Sequence, residues 1–297
     1  MNFTGKADGQ YETKKRKKAE SFGVQRFSWH VIFRKKRTIA GAVIILCFVF
    51  TALFAPVLAP HDPLLVDIVN KLQGPSPAYP FGTDQLGRCI LSRLIWGSRY
   101  SLFYSSLVLV ITVAVGVPVG MLSGYMGGKV DSLLMRIIDI FMALPSFIVA
   151  LAIAGTLGAS GRNLVLAMSL VYWADYARLS RTLTLQIKEQ NYMMALKASG
   201  CSGVSIVFRH VLKNIAPSVV ALATMDIGTI ILSIAGFSFI GLGVQAPAPE
   251  WGIMLSDSKQ FIQTCPRLMF FPGLTIVLIV LAFNLLGEGI QDENETE

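Results

Sequence analysis

The sequence predicts an all-α integral membrane protein with six transmembrane helices and a helical cytoplasmic loop. Of the 297 residues, 53% are hydrophobic and 15% are charged, whereas soluble domains contain about a quarter charged residues. Several apolar runs reach the roughly 20 residues that a spanning helix needs. Lysine and arginine concentrate in the segments that the positive-inside rule assigns to the cytoplasm.

The N-terminal tail, residues 1–38, holds eleven Lys or Arg and three acidic residues, whereas the rest of the chain holds fifteen of each sign. The net charge of +8 therefore belongs to the tail. Because the tail precedes an apolar run, its charge indicates a cytoplasmic N-terminus beside the lipid bilayer. We do not expect nucleic acid as a partner, since charge runs of this kind are usually solvated tails.

The first predicted span is residues 39–58, which carry no charge. This run is too long and too far from the N-terminus for a cleaved signal peptide. Residues 60–99 predict an external loop because proline and glycine turns recur there. Within that loop, residues 90–100 suggest a helix at the membrane interface.

Residues 100–123 form a second uncharged run, and a third span is expected over residues 132–155. The fourth span is short of apolar residues, since only fifteen residues separate Arg162 from Arg178. It crosses only if its helix continues past Arg178, with arginine side chains reaching the interface.

Residues 215–242 predict a fifth span and residues 268–286 a sixth. The predicted membrane domain is thus residues 39–290, and residues 291–297 form an acidic cytoplasmic tail. With the N-terminus inside, nineteen Lys and Arg face the cytoplasm and seven face outward, as the positive-inside rule favours.

The segment between the fourth and fifth spans, residues 179–214, predicts a cytoplasmic loop with helical content. Helix formers fill residues 188–199 and Gly200 suits a helix end, while residues 204–213 predict a second helical stretch. Ala195 and Ala198 keep one surface small, so a groove on another protein could accept it. An ordinary loop is the alternative.

The sequence offers no nucleotide, metal or catalytic motif. The pair Gly128-Lys129 lacks the rest of a phosphate-binding loop, because Ser123 stands where glycine is needed and Val130 where Ser or Thr is needed. Any ATP with magnesium must therefore bind a separate subunit, and the chain needs no cofactor of its own. The three histidines are far apart. Free cysteines are the preferred interpretation, although a bridge between Cys89 and Cys265 is conceivable.

Asp226 lies about ten residues into the fifth span. A carboxylate at that depth is costly unless it faces a polar cavity or a partner, so Asp226 is a candidate for a translocation path. A structural hydrogen bond to a neighbouring helix is the alternative. Asp139 and Asp175 lie closer to the interfaces and are weaker candidates.

Several short segments, in order along residues 38–290, resemble one family of membrane transport proteins. They are Leu53–Pro56, Ala59–Pro63, Phe81–Arg88, Leu91–Arg93, Gly97–Leu102, Tyr176–Arg178, Ala195–Gly200 with Arg209 and His210, Ser238–Val244, Glu250–Gly252, Phe271–Gly273 and Leu281–Gly287. The chain resembles the second permease of the dipeptide, oligopeptide and nickel group of binding-protein-dependent ABC importers.

The resemblance implies a type I ABC importer permease fold and three kinds of protein partner. A second, homologous permease would complete the path, two ATPase subunits would bind the cytoplasmic loop, and an external binding protein would deliver substrate. It assigns ATPase coupling to one set of residues. They are Ala195, Lys197, Ala198, Gly200, Arg209 and His210.

The chain departs from the family pattern in places that bear on docking and substrate. The family usually has Glu-Ala-Ala where this chain has Met194-Ala-Leu, and often proline where it has Lys213. A glutamate common in peptide permeases is replaced by Ile234, which tilts the expected substrate toward nickel or a metal chelate. Di- or oligopeptides are the alternative, and a structural membrane protein or an intramembrane enzyme is the alternative from another class.

Overall fold

The computed structural model describes residues 35–296, and for residues 293–296 it describes the backbone alone. Within this range every regular element is helical, apart from an isolated antiparallel bridge between Thr83 and Cys89. Most of the basic tail lies outside the described residues.

The first span is helix α1 (Lys36–Leu53), followed almost directly by the short helix α2 (Ala55–Leu58). Helix α3 (Ile90–Met126) is 37 residues long. It merges the expected interfacial helix with the second span, because no helix-breaking residue separates them. The loop before it, which was predicted to be external, contains one 3₁₀ turn, Ile68–Asn70.

The predicted third span is two helices rather than one. Helix α4 (Gly128–Met142) and helix α5 (Ser146–Leu157) are bent by 81° at the break between them. Pro145 occupies the N-cap of α5. Proline lacks an amide donor and disfavours helical geometry in the residue before it, which accounts for the break.

Helix α6 (Gly161–Lys188) continues well past Arg178, as the fourth span required. Its first turn is capped by Ser160, whose side chain accepts the backbone N–H of Asn163 at 3.1 Å. A break at residues 189–190 then separates α6 from helix α7 (Asn191–Ala198). The helix expected over residues 188–199 is therefore interrupted near its start.

The fifth span begins earlier than the sequence predicted. A turn at Gly203–Ser205, a π-helical stretch at Ile206–Val211 and helix α8 (Leu212–Phe239) follow one another without interruption. The side-chain amide of Asn214 donates to the carbonyl of His210 at 2.7 Å, beside this irregular turn.

Two helices complete the described chain. Helix α9 (Trp251–Ser258) is short and leads into a 3₁₀ turn, Lys259–Phe261. Helix α10 (Arg267–Thr296) contains the predicted sixth span and also the predicted acidic tail, which continues the same helix.

By length and composition, four described helical segments could cross a membrane, and the bent α4–α5 pair would make a fifth. The four are Lys36–Leu53, Ile90–Met126, Gly203–Phe239 and Arg267–Asp292. Helix α6 is not among them. Its interior carries Asp175, Arg178 and Arg181, which lower its mean hydropathy. The predicted count of six is thus not reached by this measure.

Helices α3 and α6 lie in close backbone contact. Three glycines of α3, spaced by four residues, face the backbone of α6: Gly116 opposite Trp173, Gly120 opposite Ala177, and Gly124 opposite Arg181. A Cβ at any of them would approach a carbonyl oxygen of α6 too closely. Small residues at this spacing allow membrane helices to pack at short range.

All four cysteines are free, and the conceivable bridge between Cys89 and Cys265 is not formed. Both of these thiols are buried. Cys265 lies in an apolar cluster that also contains Trp251 and Phe283. This agrees with the preferred interpretation of the cysteines as packing residues.

Candidate functional site

Helix α7 is attached to the rest of the molecule by its inner side. Met193 is fully buried in an apolar cluster with Val117 and Met121 of α3. The ammonium of Lys197 lies 5.8 Å from the ring centroid of Tyr125, and that of Lys188 donates to the Tyr125 carbonyl at 2.7 Å. The contacts of Met193 and Lys197 join α7 to the end of α3, and that of Lys188 joins the end of α6 to the same segment.

The end of α7 is closed by a glycine cap. Gly200 has a φ of +79°, and its N–H donates to the Lys197 carbonyl at 3.1 Å. The N–H of Cys201 donates to the Leu196 carbonyl, also at 3.1 Å. This pair of bonds is the Schellman motif, in which glycine adopts the left-handed conformation at lowest cost. The predicted role of Gly200 as a helix end is confirmed.

The outer side of α7 and the segment after it expose both small and large apolar residues. We call the following set the α7 face: Met194, Ala195, Ala198, Gly200, Val204 and Phe208. Met194, Val204 and Phe208 are large apolar side chains that are more than half exposed. Sequence analysis identified the small residues and missed these three. The i, i+4 spacing of Val204 and Phe208 in a helical stretch was the available signal.

The remaining predicted coupling residues lie on the π-helical stretch. Arg209 is exposed, whereas His210 is half-buried. Whether these two residues contact an ATPase stays a prediction.

Asp226 lies near the middle of α8 and accepts a hydrogen bond from the hydroxyl of Tyr176 on α6 at 2.7 Å. The carboxylate also borders a cavity of about 220 Å³ between these helices. Both features considered for Asp226 are therefore present, namely a hydrogen bond to a neighbouring helix and a polar cavity. Its part in translocation stays a prediction.

A buried ion cluster, which sequence analysis did not find, links the loop before α3 to α9. Asp84 accepts from the Arg88 guanidinium at 2.7 Å and from that of Arg93 at 2.5 Å. Asp257 completes this outer ion cluster at 3.4 Å from Arg88 and 3.6 Å from Arg93. Arg93 and Asp84 are 1% and 4% exposed, so water screens their attraction little.

A carboxylate also caps helix α9. The two side-chain oxygens of Glu250 accept the N–H groups of Gly252 at 2.9 Å and Ile253 at 3.1 Å. Burial raises the pKa of the Glu250 carboxyl, and these backbone bonds act in the opposite direction. The next residue, Trp251, donates its indole N–H to the Leu94 carbonyl of α3 at 3.1 Å. Helices α3 and α9 are thereby fixed together.

The chain matches two known protein families. Residues 116–295 match the family described as the binding-protein-dependent transport system inner membrane component. The chain belongs to that family. Residues 24–75 of the permease also match the N-terminal transmembrane domain of oligopeptide transport permease C. The predicted membership is confirmed, and the chain is a transport subunit of a binding-protein-dependent ABC importer rather than an enzyme.

The relatives of the permease are named after different substrates. It is 40% identical over 268 residues to the dipeptide transport system permease protein of Alkalihalophilus pseudofirmus, covering 89% of this chain and 88% of the relative. It is 38% identical over 250 residues to the nickel transport system permease protein of Escherichia coli K12, covering 84% and 90%. These similarities do not favour nickel over peptides, so the tilt toward nickel is unsupported.

One solved structure supports the fold. A chain of the MetNI methionine ABC transporter, in inward-facing conformations, aligns with a TM-score of 0.57. The alignment covers 70% of the permease and 98% of that chain at 17% sequence identity. The type I importer permease fold is thereby shown for the core of the molecule.

Proposed function

We propose that this chain pairs with a second homologous permease to line a translocation path driven by two separate ATPase subunits. An external binding protein delivers the substrate, and ATP with magnesium binds only to the ATPases. The chain lies in the cell membrane with both termini in the cytoplasm. The geometry of α7 is the observation that carries this proposal.

Six crossings fit this role, and they include the two elements that composition alone leaves uncertain. The bent α4–α5 pair makes one crossing. Helix α6 makes another, since 28 residues at about 1.5 Å each give about 42 Å, longer than the hydrocarbon core of a bilayer. Arg162 lies at its start, and Arg178, Arg181 and Lys188 lie in its second half, where long basic side chains can reach the interface.

Helix α7 has the properties expected of a coupling element. It is anchored to α3 through Met193 and Lys197, and it presents exposed small and apolar side chains on its other side. An ATPase can bias the permease only by contacting its two states differently. An anchored helix with a free face can convert such a contact into movement of α3.

We expect the loops to have opposite accessibility in intact cells. In a background with the native cysteines replaced by alanine, an impermeant maleimide should label Ala78→Cys in intact cells. It should label Ala198→Cys only after the membrane is permeabilised. Labelling of Ala198→Cys in intact cells would contradict the proposed orientation and the ATPase role of α7.

Replacing Gly200 with tryptophan should abolish uptake while the protein still reaches the membrane. The added side chain forces a strained φ and enlarges the α7 face, although a Cβ at Gly200 meets no atom within 4 Å. Uptake of nickel-63 and of a radiolabelled dipeptide by cells with the complete transport system measures the effect, with immunoblots for membrane level.

Gly158→Trp is the matched control, because Gly158 also has a positive φ, +87°, and open space around its Cβ position. It terminates α5 and lies outside the α7 face. Uptake should therefore survive in Gly158→Trp. Wild-type uptake in Gly200→Trp would remove the docking argument.

The proposed substrate is nickel or a metal chelate, or else a di- or oligopeptide. The external binding protein selects the substrate in such systems, so its ligand separates the two. Calorimetry of the cognate binding protein with nickel salts, nickel–histidine and dipeptides tests this directly.

A further inference from the structure

Six of the seven residues that line the cavity beside Asp226 have polar side chains, although the cavity lies between helices assigned to the membrane. It opens between the α4–α5 bend, α6 and α8, and has a volume of about 220 Å³. Its lining consists of Ser146, Tyr172, Asp175, Tyr176, Asp226, Thr229 and Ile230. We call it the polar cavity. Asp175 and Thr229 are exposed at its edge, whereas Tyr176 is buried behind it.

Two carboxyl groups line the polar cavity, and no basic side chain among the described residues is paired with them. Among the described residues, neither Asp175 nor Asp226 forms an ion pair with a basic side chain. The nearest arginine in sequence, Arg178, is instead paired with Asp139. Tyr176 satisfies one oxygen of Asp226, and a phenol brings no positive charge. A carboxylate at the depth of Asp226 is costly unless a cation or another polar partner joins it.

The chemistry of the lining favours an organic cation over a bare metal ion. No group of three or more His, Cys, Asp or Glu that could hold a metal occurs within residues 35–296. Nickel also prefers nitrogen donors, which the lining side chains lack. A protonated amine suits the site better, because it supplies three N–H donors to carboxylate and phenol oxygens.

We propose that the polar cavity binds the protonated amino group of a transported solute, with Asp175 and Asp226 as its counter-charges. This inference rests on the proposed function, because it assigns a binding site along the proposed translocation path of the permease. It selects amine-bearing solutes such as peptides over free nickel.

Cysteine modification at the edge of the cavity tests the preference for a cation. In the assembled importer, with native cysteines replaced by alanine, Thr229→Cys is reacted with 2-aminoethyl methanethiosulfonate, a cation, and with the neutral 2-hydroxyethyl reagent. The quantity measured is the rate with the cationic reagent divided by the rate with the neutral reagent. This ratio cancels differences in accessibility and thiol reactivity between variants. Because carboxylates that line the same cavity attract the cation, this ratio should fall about tenfold when Asp175→Asn and Asp226→Asn are added together.

Two further comparisons define the ligand. Glu288→Gln removes an exposed carboxylate of α10, outside the cavity, and should leave the rate ratio unchanged. Glycylglycine should slow the reaction of Thr229→Cys, whereas N-acetylglycylglycine should not, because only the former has a free ammonium. Equal protection by both peptides, or protection by nickel chloride alone, would overturn the proposal.

Uptake measurements separate this proposal from the proposed function. Asp226→Asn keeps the acceptor for Tyr176 and should lower uptake more than it lowers the level of assembled complex. If it assembles poorly, Asp175→Asn alone carries the test, because Asp175 is exposed. If the rate ratio does not change when both aspartates are replaced by asparagine, the amine site is refuted, even where Gly200→Trp still abolishes uptake. Normal uptake in Gly200→Trp would instead refute the proposed docking of an ATPase on α7, whatever the rate ratio.

Discussion

Replacing Asp84 by alanine is expected to destabilise the protein by about 3–5 kcal/mol, the usual cost of removing one partner from a buried ion pair. Asp84 accepts from two buried guanidinium groups and from the backbone N–H groups of Leu86 and Arg88, both at 2.9 Å. Without it, Arg88 and Arg93 face one another with only Asp257 nearby. The folded fraction after purification and the melting midpoint in detergent measure the effect.

Asp257→Ala is the matched control for this prediction. Its side chain is 27% exposed, and its contacts to Arg88 and Arg93 are longer than those of Asp84. The loss of stability should therefore be clearly smaller, because the arginines keep their main partner and water reaches the site. Equal melting points for the two variants would show that the outer ion cluster does not stabilise the fold as described.

Replacing Gly120 with leucine is expected to prevent the close association of α3 and α6. A Cβ at this position already collides with the Ala177 carbonyl and approaches the Ser180 side chain to 2.9 Å. Backbone atoms cannot rotate away as a flexible side chain can. Since even ordinary overpacking costs about 1–3 kcal/mol, we expect loss of most of the assembled protein. Fluorescence-detected gel filtration of the tagged protein measures it.

Gly273→Leu serves as the control for Gly120→Leu. Gly273 also lies inside an apolar helix, α10, and a Cβ there meets no atom within 4 Å. The same change in side-chain volume and backbone freedom should be tolerated at this position. Similar elution profiles for the two variants would refute the claim that backbone contact holds α3 to α6.

Much of the helical framework could be predicted because apolar length and end signals are local. The C-terminal end of α7 at Gly200 followed from helix formers and a single glycine, and the Schellman bonds confirm it. The continuation of α6 past Arg178 also followed from the length that a span requires. Such inferences need only neighbouring residues.

The α4–α5 bend shows where local patterns mislead. Hydropathy is averaged over residues, so an apolar run looks the same whether its helix is straight or turned through 81°. Proline is common in membrane helices, and Pro118 and Pro217 lie inside α3 and α8 without ending them. Whether Pro145 ends a helix depends on packing that the sequence does not display.

The sites that depend on distant residues could not be assembled from the sequence. Asp84 and Asp257 are far apart in the chain, as are Tyr176 and Asp226. Their motifs were visible, but nothing in their spacing indicated which residues meet. The polar cavity is likewise made by helices whose proximity is a property of the fold.

The length of α3 has a mechanical consequence. At about 1.5 Å per residue, its 37 residues extend about 55 Å, with Arg93 of the ion cluster near one tip and Tyr125 beside α7 near the other. The close glycine contacts with α6 lie toward the Tyr125 end of α3 and support the helix there. In the proposed transporter, a force that the ATPases exert on α7 would therefore pass along α3 from Tyr125 to the ion cluster at Arg93.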